Sequence, residues 1–134
     1  MAAMSDYLEA QLLNLIFRMQ VAWKPTAIYF GLFTVAPTDA GGGTEVTGGA
    51  YARVQVTQLD GNWTAPGVAG LTDNVADITF ATATASWGTV TNVGIFDAAT
   101  AGNLLFHGAL ASNKVVDNGD TFKFAVGALD ITLA

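Results

Sequence analysis

The sequence predicts a mainly β protein: an antiparallel β-sandwich or jelly roll preceded by one N-terminal α-helix. Apolar residues recur with helical spacing only near the N-terminus, strand-length segments with a period of two follow, and glycine-rich turns separate those segments. A chain of 134 residues corresponds to one domain by length, so we expect a single sandwich over residues 1–134. The helix is expected over about residues 6–20, and the strands within about residues 27–133.

The first element is an amphipathic helix. Asp6 stands three residues before Glu9, a spacing that suits an N-cap with a reciprocal carboxylate, and Ser5 is a second candidate for the cap. The apolar residues that follow share one stripe: Leu8, Leu12, Leu15, Ile16 and Met19, widened by Leu13 and Phe17. A stripe of this width indicates that more than one side of the helix is covered.

The strands begin after the helix. Residues 27–33 (AIYFGLF) form a nearly continuous apolar run, which predicts a strand buried on both faces. Residues 51–57 and 76–80 alternate between apolar and polar, as half-buried strands do. Two long glycine-bearing connections, residues 36–50 and 59–75, exceed an ordinary hairpin loop, and we expect them to reach a neighbouring protein.

The second half of the chain predicts a long hairpin and a bent last strand. In WGTVTNVGIFDAATAGNLLFHGAL, strands at residues 90–96 and 104–110 flank a turn in which Gly102 and Asn103 supply positive backbone angles. A second turn, DNGD at residues 117–120, opens the last strand. Its apolar residues change parity, so a bulge or bend is expected at Gly127 and Ala128.

The sequence offers little catalytic chemistry. His107 is the only histidine and therefore the one candidate general base, but a hydrogen-bonded structural role is favoured because catalysis also needs an oriented partner. No nucleophile-elbow, P-loop or dinucleotide motif is present, and cysteine is absent. The aspartates lie near turns and are interpreted as turn-forming, although two carboxyls could still meet in space as a glycosidase pair. We expect neither an enzyme nor a cofactor or metal.

Three tryptophans stand beside turn signals. They suit a sugar-stacking platform, but we favour a place in the core or in a subunit interface, where tryptophan is enriched. The candidate partner interface comprises Tyr7, Leu12, Ile16, Met19, Trp23, Trp63 and Trp87.

The composition favours association with other proteins. Hydrophobic residues make up 51% of the chain and charged residues only 12%, so part of the exterior is predicted to be uncharged and available for contact, as in a homo-oligomer, a dimer or a trimer. A net charge of -6 repels a phosphate backbone, which argues against direct nucleic-acid binding. Asn14 and Arg18 interrupt the N-terminal apolar segment, so we expect neither a signal peptide nor a membrane anchor.

Most of the chain resembles a family of small tailed-phage virion proteins. The resemblance is carried by YLEAQLLNLIF, AIYFGLFTVAPTDAGGGTEVTGGAYARV, WGTVTNVGIFDAATAGNLLFHGAL and GDTFKFAVGALDITL. Members are often labelled tail-fibre or minor tail proteins, and others are capsid cement or decoration proteins, including a jelly-roll cement protein that dimerises on a phage head. The resemblance implies no catalytic residues. It implies a sandwich whose subunits associate and bind a virion lattice through loops and edges.

Two functions agree with this resemblance. The first is a capsid cement or decoration protein that binds the major capsid protein and stabilises the assembled head, using the helix and residues 36–50. The alternative is a tail component or a receptor-binding module for carbohydrate or a cell surface, in contact with tail proteins. Either function places the chain on the virion, on the outer surface of the head or in the tail, after synthesis in the host cytoplasm.

Overall fold

A computed structural model describes residues 2–20 and 23–133. Within these ranges the protein is mainly β with one α-helix near the N-terminus, as the sequence predicts. In chain order the elements are β1 (Ala3–Met4), α1 (Asp6–Phe17), β2 (Ile28–Val35), β3 (Thr44–Glu45), β4 (Val54–Val56), a 3-10 turn (Asp60–Asn62), β5 (Leu71–Asp73), β6 (Ile78–Thr79), β7 (Gly88–Phe96), β8 (Leu104–Val116), β9 (Lys123–Phe124) and β10 (Asp130–Thr132).

The strands form one large sheet and two small ones, all antiparallel. The large sheet has the order β1-β8-β7-β2-β3, and β4 also pairs with β2. β5 pairs with β10, and β6 pairs with β9. Side chains of the two small sheets pack with those of the large sheet in one core, so the predicted antiparallel sandwich is confirmed.

The core lies between these layers. Phe30, Leu32 and Val90 of the large sheet have no exposed surface. They share the core with an aromatic cluster from the other layer, in which Phe122 and Phe124 meet edge to face with ring centroids 5.1 Å apart. Each large apolar side chain buried in this way contributes about 1.5–3 kcal/mol to folding.

α1 begins at the second predicted cap, Ser5. The Ser5 hydroxyl accepts a hydrogen bond from the Leu8 N–H at 3.3 Å and donates to the Leu104 carbonyl, while the Ser5 N–H donates to the Leu105 carbonyl at 2.9 Å. Ser5 thus caps the helix and extends the pairing of β1 with β8. The helix ends at Phe17, earlier than the predicted residue 20, because Met19 has a φ of 49°, outside the helical region.

The predicted hairpin is present as β7 and β8, and both strands extend beyond the predicted bounds. The positive φ angles of its turn belong to Ala101 and Gly102, not to Asn103. Asn103 instead donates from its backbone N–H and its side chain to the two carboxylate oxygens of Asp97, at 2.7 and 2.8 Å. The side chain of Asp97 therefore closes the turn.

The alternation of apolar and polar residues does not predict the bounds of the shorter strands. Only Val54–Val56 of the alternating residues 51–57 forms a strand, and β1, which lies before the helix, has no pattern that predicts it. The bend at Gly127 is confirmed: Gly127 has a φ of 67° and separates β9, which pairs with β6, from β10, which pairs with β5. Both long connections contain strands that pair within the chain, β3 in residues 36–50 and β5 in residues 59–75.

A partly buried ion pair joins β3 to the turn of the hairpin. Arg53 Nη2 and Nε lie 2.7 and 2.8 Å from the two carboxylate oxygens of Glu45, and the Arg53 side chain is only 7% exposed. Arg53 Nη1 donates to the carbonyls of Ala98 and Ala101 at 2.9 and 2.8 Å. Its guanidinium carbon also lies 3.4 Å from the centroid of the Phe96 ring, a cation–π contact.

Tyr51 extends this network to the centre of the large sheet. Its hydroxyl donates to Glu45 Oε1 at 2.8 Å and accepts from the Leu32 N–H at 2.8 Å. Burial raises the pKa of Tyr51, so the phenol stays protonated and able to donate. The carboxylate fits because Gly31 has no side chain: a Cβ there would lie 2.8 Å from Glu45 Oε1.

We expect Arg53→Met to lower the free energy of unfolding by about 3 kcal/mol, because it leaves Glu45 without its buried partner. Urea denaturation of the purified chain measures this loss. Lys123→Met is the matched control, since the Lys123 to Asp77 pair at 2.9 Å is exposed and its loss has a much smaller effect. Equal destabilisation by the two variants contradicts the structural role of Arg53.

Candidate partner interface

An apolar groove of about 660 Å³ opens between α1 and the segment at residues 58–66. Leu12 and Trp23 line one side, Leu59 and Trp63 line the other, and Ile95 contributes to the lining from the large sheet. Asp60 is the one charged residue among the described residues that line it. An open apolar surface of this kind is typical of a protein–protein contact.

Two aromatic pairs hold the groove in shape. The rings of Tyr7 and Trp23 meet edge to face with centroids 5.6 Å apart, which ties the segment after the helix to its first turn. Trp63 stacks on Phe30 of the core with centroids 6.0 Å apart. Both tryptophans are only half-buried, so their outer surfaces remain open to a partner.

The outward face of α1 adjoins this groove and is also apolar. Leu13, Ile16, Phe17 and Met19 are 57, 66, 75 and 92% exposed. The predicted stripe is therefore split: Leu8 is buried, Leu12 is half-buried in the wall of the groove, and Leu15, Ile16 and Met19 are exposed. The reason is tertiary, since the Ser5 cap fastens the start of the helix to β8 and the later turns lie farther from that anchor.

The predicted interface residues thus fall into three places. Tyr7, Leu12, Trp23 and Trp63 surround or line the groove, while Ile16 and Met19 lie on the exposed end of the helix. Trp87 is instead a core residue, only 5% exposed, and its placement in the interface is corrected.

Trp87 is buried because the loop closes over it. Its Nε1 donates to the Gly49 carbonyl at 2.9 Å, and its ring meets Tyr51 edge to face at 5.3 Å. Gly49, at a φ of 56°, permits this approach because a Cβ there would lie 2.9 Å from the indole nitrogen. The sequence shows the same turn signals around all three tryptophans, so it could not separate this one.

The candidate general base is already paired. His107 Nε2 lies 2.8 Å from Asp39 Oδ1, a contact that joins the loop at residues 36–50 to β8. The nearby Ser5 hydroxyl is used by the helix cap. Both side chains thus have the hydrogen-bonded roles expected of structural residues.

Other chemistry is equally sparse in the described part of the chain. Among residues 2–20 and 23–133, no three histidine or carboxylate side chains come together as a metal site requires. No helix in residues 2–20 and 23–133 is long and apolar enough to cross a bilayer, since α1 has 12 residues.

One pair of carboxylates does meet, and the sequence did not reveal it. Asp73 of β5 lies directly opposite Asp130 of β10, and Asp73 Oδ1 is buried without a hydrogen-bond partner. The neighbouring Asp130 carboxyl, first of all, and the loss of solvent around Asp73 raise the pKa of Asp73. The ionised form of Asp73 is therefore less favourable in the folded chain than in the unfolded chain, and stability falls as pH rises through the raised pKa.

We expect Asp130→Asn to raise the melting temperature at neutral pH, because it removes the charge that opposes ionisation of Asp73. The gain shrinks as the pH falls into the range where both carboxyls are protonated. Thermal unfolding followed by circular dichroism over a pH series measures it.

Asp77→Asn is the control with the opposite sign. The hydrogen bond from Lys123 lowers the pKa of Asp77, so this substitution lowers the melting temperature at neutral pH and has less effect in acid. Similar pH profiles for the two variants contradict the pairing of Asp73 with Asp130.

The comparisons with known proteins agree with this structure. The family model described as "Podophage GP4 fiber I protein gp80" matches residues 3–132. None of the curated proteins compared with the chain matches it. The family match spans every element from β1 to β10, and it confirms the resemblance to tailed-phage virion proteins. The chain belongs to the podophage GP4 fiber I protein gp80 family.

Proposed function

We propose that the chain is a structural component of a phage tail and that it acts through contacts with other tail proteins, not through catalysis. The match to a fibre-protein family over residues 3–132 is the observation that carries this proposal. The match favours a place in the tail over a place on the head. It therefore supports the function of a tail component over that of a capsid cement protein.

The surface supports a role in assembly. Charged residues make up 12% of the chain, and the apolar groove lies beside an apolar helix face. Such surfaces exclude water when a partner covers them, which is the main favourable term in protein association. The candidate general base, His107, pairs with Asp39 and so holds the loop at residues 36–50 in place.

A receptor-binding platform built from all three tryptophans has less support. Trp87 is in the core, and Trp63 is stacked on Phe30. Trp23 and Trp63 line a groove whose other described lining residues are mainly apolar, whereas a sugar site also needs several polar groups that converge on the ring hydroxyls. The groove fits an apolar protein segment better than a carbohydrate.

We expect phage particles that carry a tagged copy of this protein to be labelled at the tail. An epitope inserted between Gly41 and Gly42 is suitable, because a Cβ at either position meets nothing within 4 Å. Antibody-gold labelling in negative-stain electron microscopy locates the tag, and untagged phage is the control. Label distributed over the head, with a copy number near that of the major capsid protein, contradicts the proposal and indicates capsid cement.

A further inference from the structure

We propose that the last strand is a proton-controlled strap: β10 lies closed on β5 while the facing carboxyls of Asp73 and Asp130 share a proton, and it lifts when both are ionised. The strap comprises β10 and the residue that follows it, residues 130–133. It separates the apolar groove from a second cavity, so its opening changes the shape of the candidate partner interface. The device belongs to the subunit itself and does not depend on where the protein sits in the virion.

The strap lies between two cavities. The groove of about 660 Å³ lies on one side, and a cavity of about 340 Å³ between β8 and residues 122–131 lies on the other. Ile95 and Phe106 of the large sheet line both cavities and form a floor that the two share. Ile131 also lines both and packs against the core from the other layer. The side chain of Ile131 is therefore the part of the strap that divides the groove from the smaller cavity.

Few contacts hold the strap in place. In the described part of the chain β10 pairs only with β5, over the three residues of Asp130–Thr132. The Leu133 N–H adds a hydrogen bond of 3.0 Å to the Gly70 carbonyl. Ile131 is half-buried and Leu133 is 50% exposed, so the strap buries little apolar surface. A short ladder with few buried contacts opens locally at a lower free energy than the whole domain.

Asn74 sets the point where this opening stops. Its side chain is buried, its Oδ1 accepts from the Leu129 N–H at 3.1 Å, and its Nδ2 donates to the Ala125 carbonyl at 2.9 Å. The Asn74 carbonyl also accepts from the Gly127 N–H at 2.8 Å. The bend that precedes the strap is thus fixed to the residue after β5, and only the residues beyond Leu129 are free to lift.

Two carboxyls face each other across the ladder of the strap. Asp73 and Asp130 are directly opposite in an antiparallel pair, so their side chains project from the same face. Asp73 Oδ1 is buried and has no hydrogen-bond donor among the described residues. Like charges that are directly opposite destabilise a strand pair, and a buried oxygen without a donor adds a cost of desolvation. A proton on one carboxyl removes the repulsion and supplies a donor for the other.

The neighbouring elements do not neutralise this pair. Their charged or titratable side chains, among the described residues, are those of Asp60, Asp77, His107, Lys114 and Lys123. His107 and Lys123 already contact other carboxylates, at 2.8 and 2.9 Å. Lys114 lines the smaller cavity together with Asp130 but forms no ion pair within the described chain. The repulsion between the two carboxylates is therefore left uncompensated when both are charged.

The strap loosens as pH rises. The neighbouring Asp130 carboxyl, first of all, and the loss of solvent raise the pKa of Asp73 above the usual aspartate value of about 3.9. Below the raised pKa the pair keeps a proton and the strap is closed, and above it both charges are present. The strap is thus tightest in mild acid and loosest at neutral pH and above.

We expect the protection factor of the Leu133 amide to fall severalfold between mild acid and neutral pH, because its hydrogen bond to Gly70 breaks when the strap lifts. Hydrogen exchange followed by NMR on the full chain measures it, and the protection factor already corrects for the pH dependence of the intrinsic exchange rate. The Leu129 amide is the internal control, since Asn74 retains it. Protection of Leu133 that does not change with pH, or that changes together with that of Leu129, overturns the strap.

Asp130→Asn should keep Leu133 protected at neutral pH, because the asparagine carries no charge and its amide donates to Asp73. Asp60→Asn is the matched control: it removes one carboxylate beside the groove and should leave the wild-type pH dependence unchanged. Asp130→Asn that raises the melting temperature while Leu133 keeps its wild-type pH dependence overturns the strap, although the pairing of the carboxyls then stands.

A covalent clasp tests the role of β10 directly. Leu71 and Thr132 are directly opposite and the chain has no cysteine, so Leu71→Cys combined with Thr132→Cys gives a single disulfide between β5 and β10. The oxidised chain should keep Leu133 protected at every pH, and reduction should restore the pH dependence. A pH dependence that persists in the oxidised chain contradicts the lifting of β10.

Ile95 reports whether lifting the strap opens the floor of the groove. Its side chain is 4% exposed, so a neutral nitroxide in solution should broaden its methyl resonances more at neutral pH than in mild acid. Leu32, which has no exposed surface, is the control and should be unaffected at both pH values. Equal broadening of Ile95 at the two pH values overturns the link between strap and groove. These results leave the tail labelling experiment unaffected, so the two proposals can fail separately.

Discussion

The partly buried ion pair between Arg53 and Glu45 helps to position several other elements of the molecule. It holds β3 to the residue that precedes β4 and, through the carbonyls of Ala98 and Ala101, holds the turn of the β7 to β8 hairpin. The strand that leaves this turn presents the Leu104 carbonyl to Ser5, which caps α1. The orientation of α1, and with it one wall of the groove, therefore depends on a contact between residues far from the helix. The hydrogen bonds and charges of Arg53 and Glu45 thus align neighbouring elements of the fold. The packing of apolar side chains supplies most of the free energy of folding.

The sequence predicts those features whose causes are local. The capped helix follows from Ser5 and the residues after it, the hairpin from two apolar runs around a glycine-bearing turn, and the bend at Gly127 from a change of parity. Features formed by residues that are far apart in the sequence are not predicted from it. The pairing of Asp73 with Asp130 depends on the register of β5 with β10, and the burial of Trp87 depends on Gly49, so neither leaves a signal in the neighbouring sequence.

The candidate site shows the same division. Helical spacing is enough to identify Leu12, Ile16 and Met19 as apolar residues that need a covering surface. The residues that complete the groove with them, Leu59 and Ile95, come from a loop and from the centre of the large sheet. Tyr7 and Trp23, which are separated by 16 positions in the sequence, meet edge to face beside this groove. The exposed apolar residues of α1 thus lie beside the apolar groove, while other apolar residues, such as Val35, Val115 and Val126, are exposed elsewhere on the molecule.

The short pairing of β1 with β8 has a mechanical consequence for a protein built into a virion. Only Ala3 and Met4 pair with β8, and Ser5 adds the last hydrogen bonds before the helix starts. A pull exerted on the N-terminal residues is carried first by these bonds, by the hydrogen bond from the Asp6 N–H to the Asp39 carbonyl and by the packing of Leu8, before it reaches the longer ladders of β7 and β2. The helix would then detach at low force while the sandwich stays folded, an early step that single-molecule pulling from the N-terminus would resolve. Such a joint lets the subunit yield under strain without unfolding.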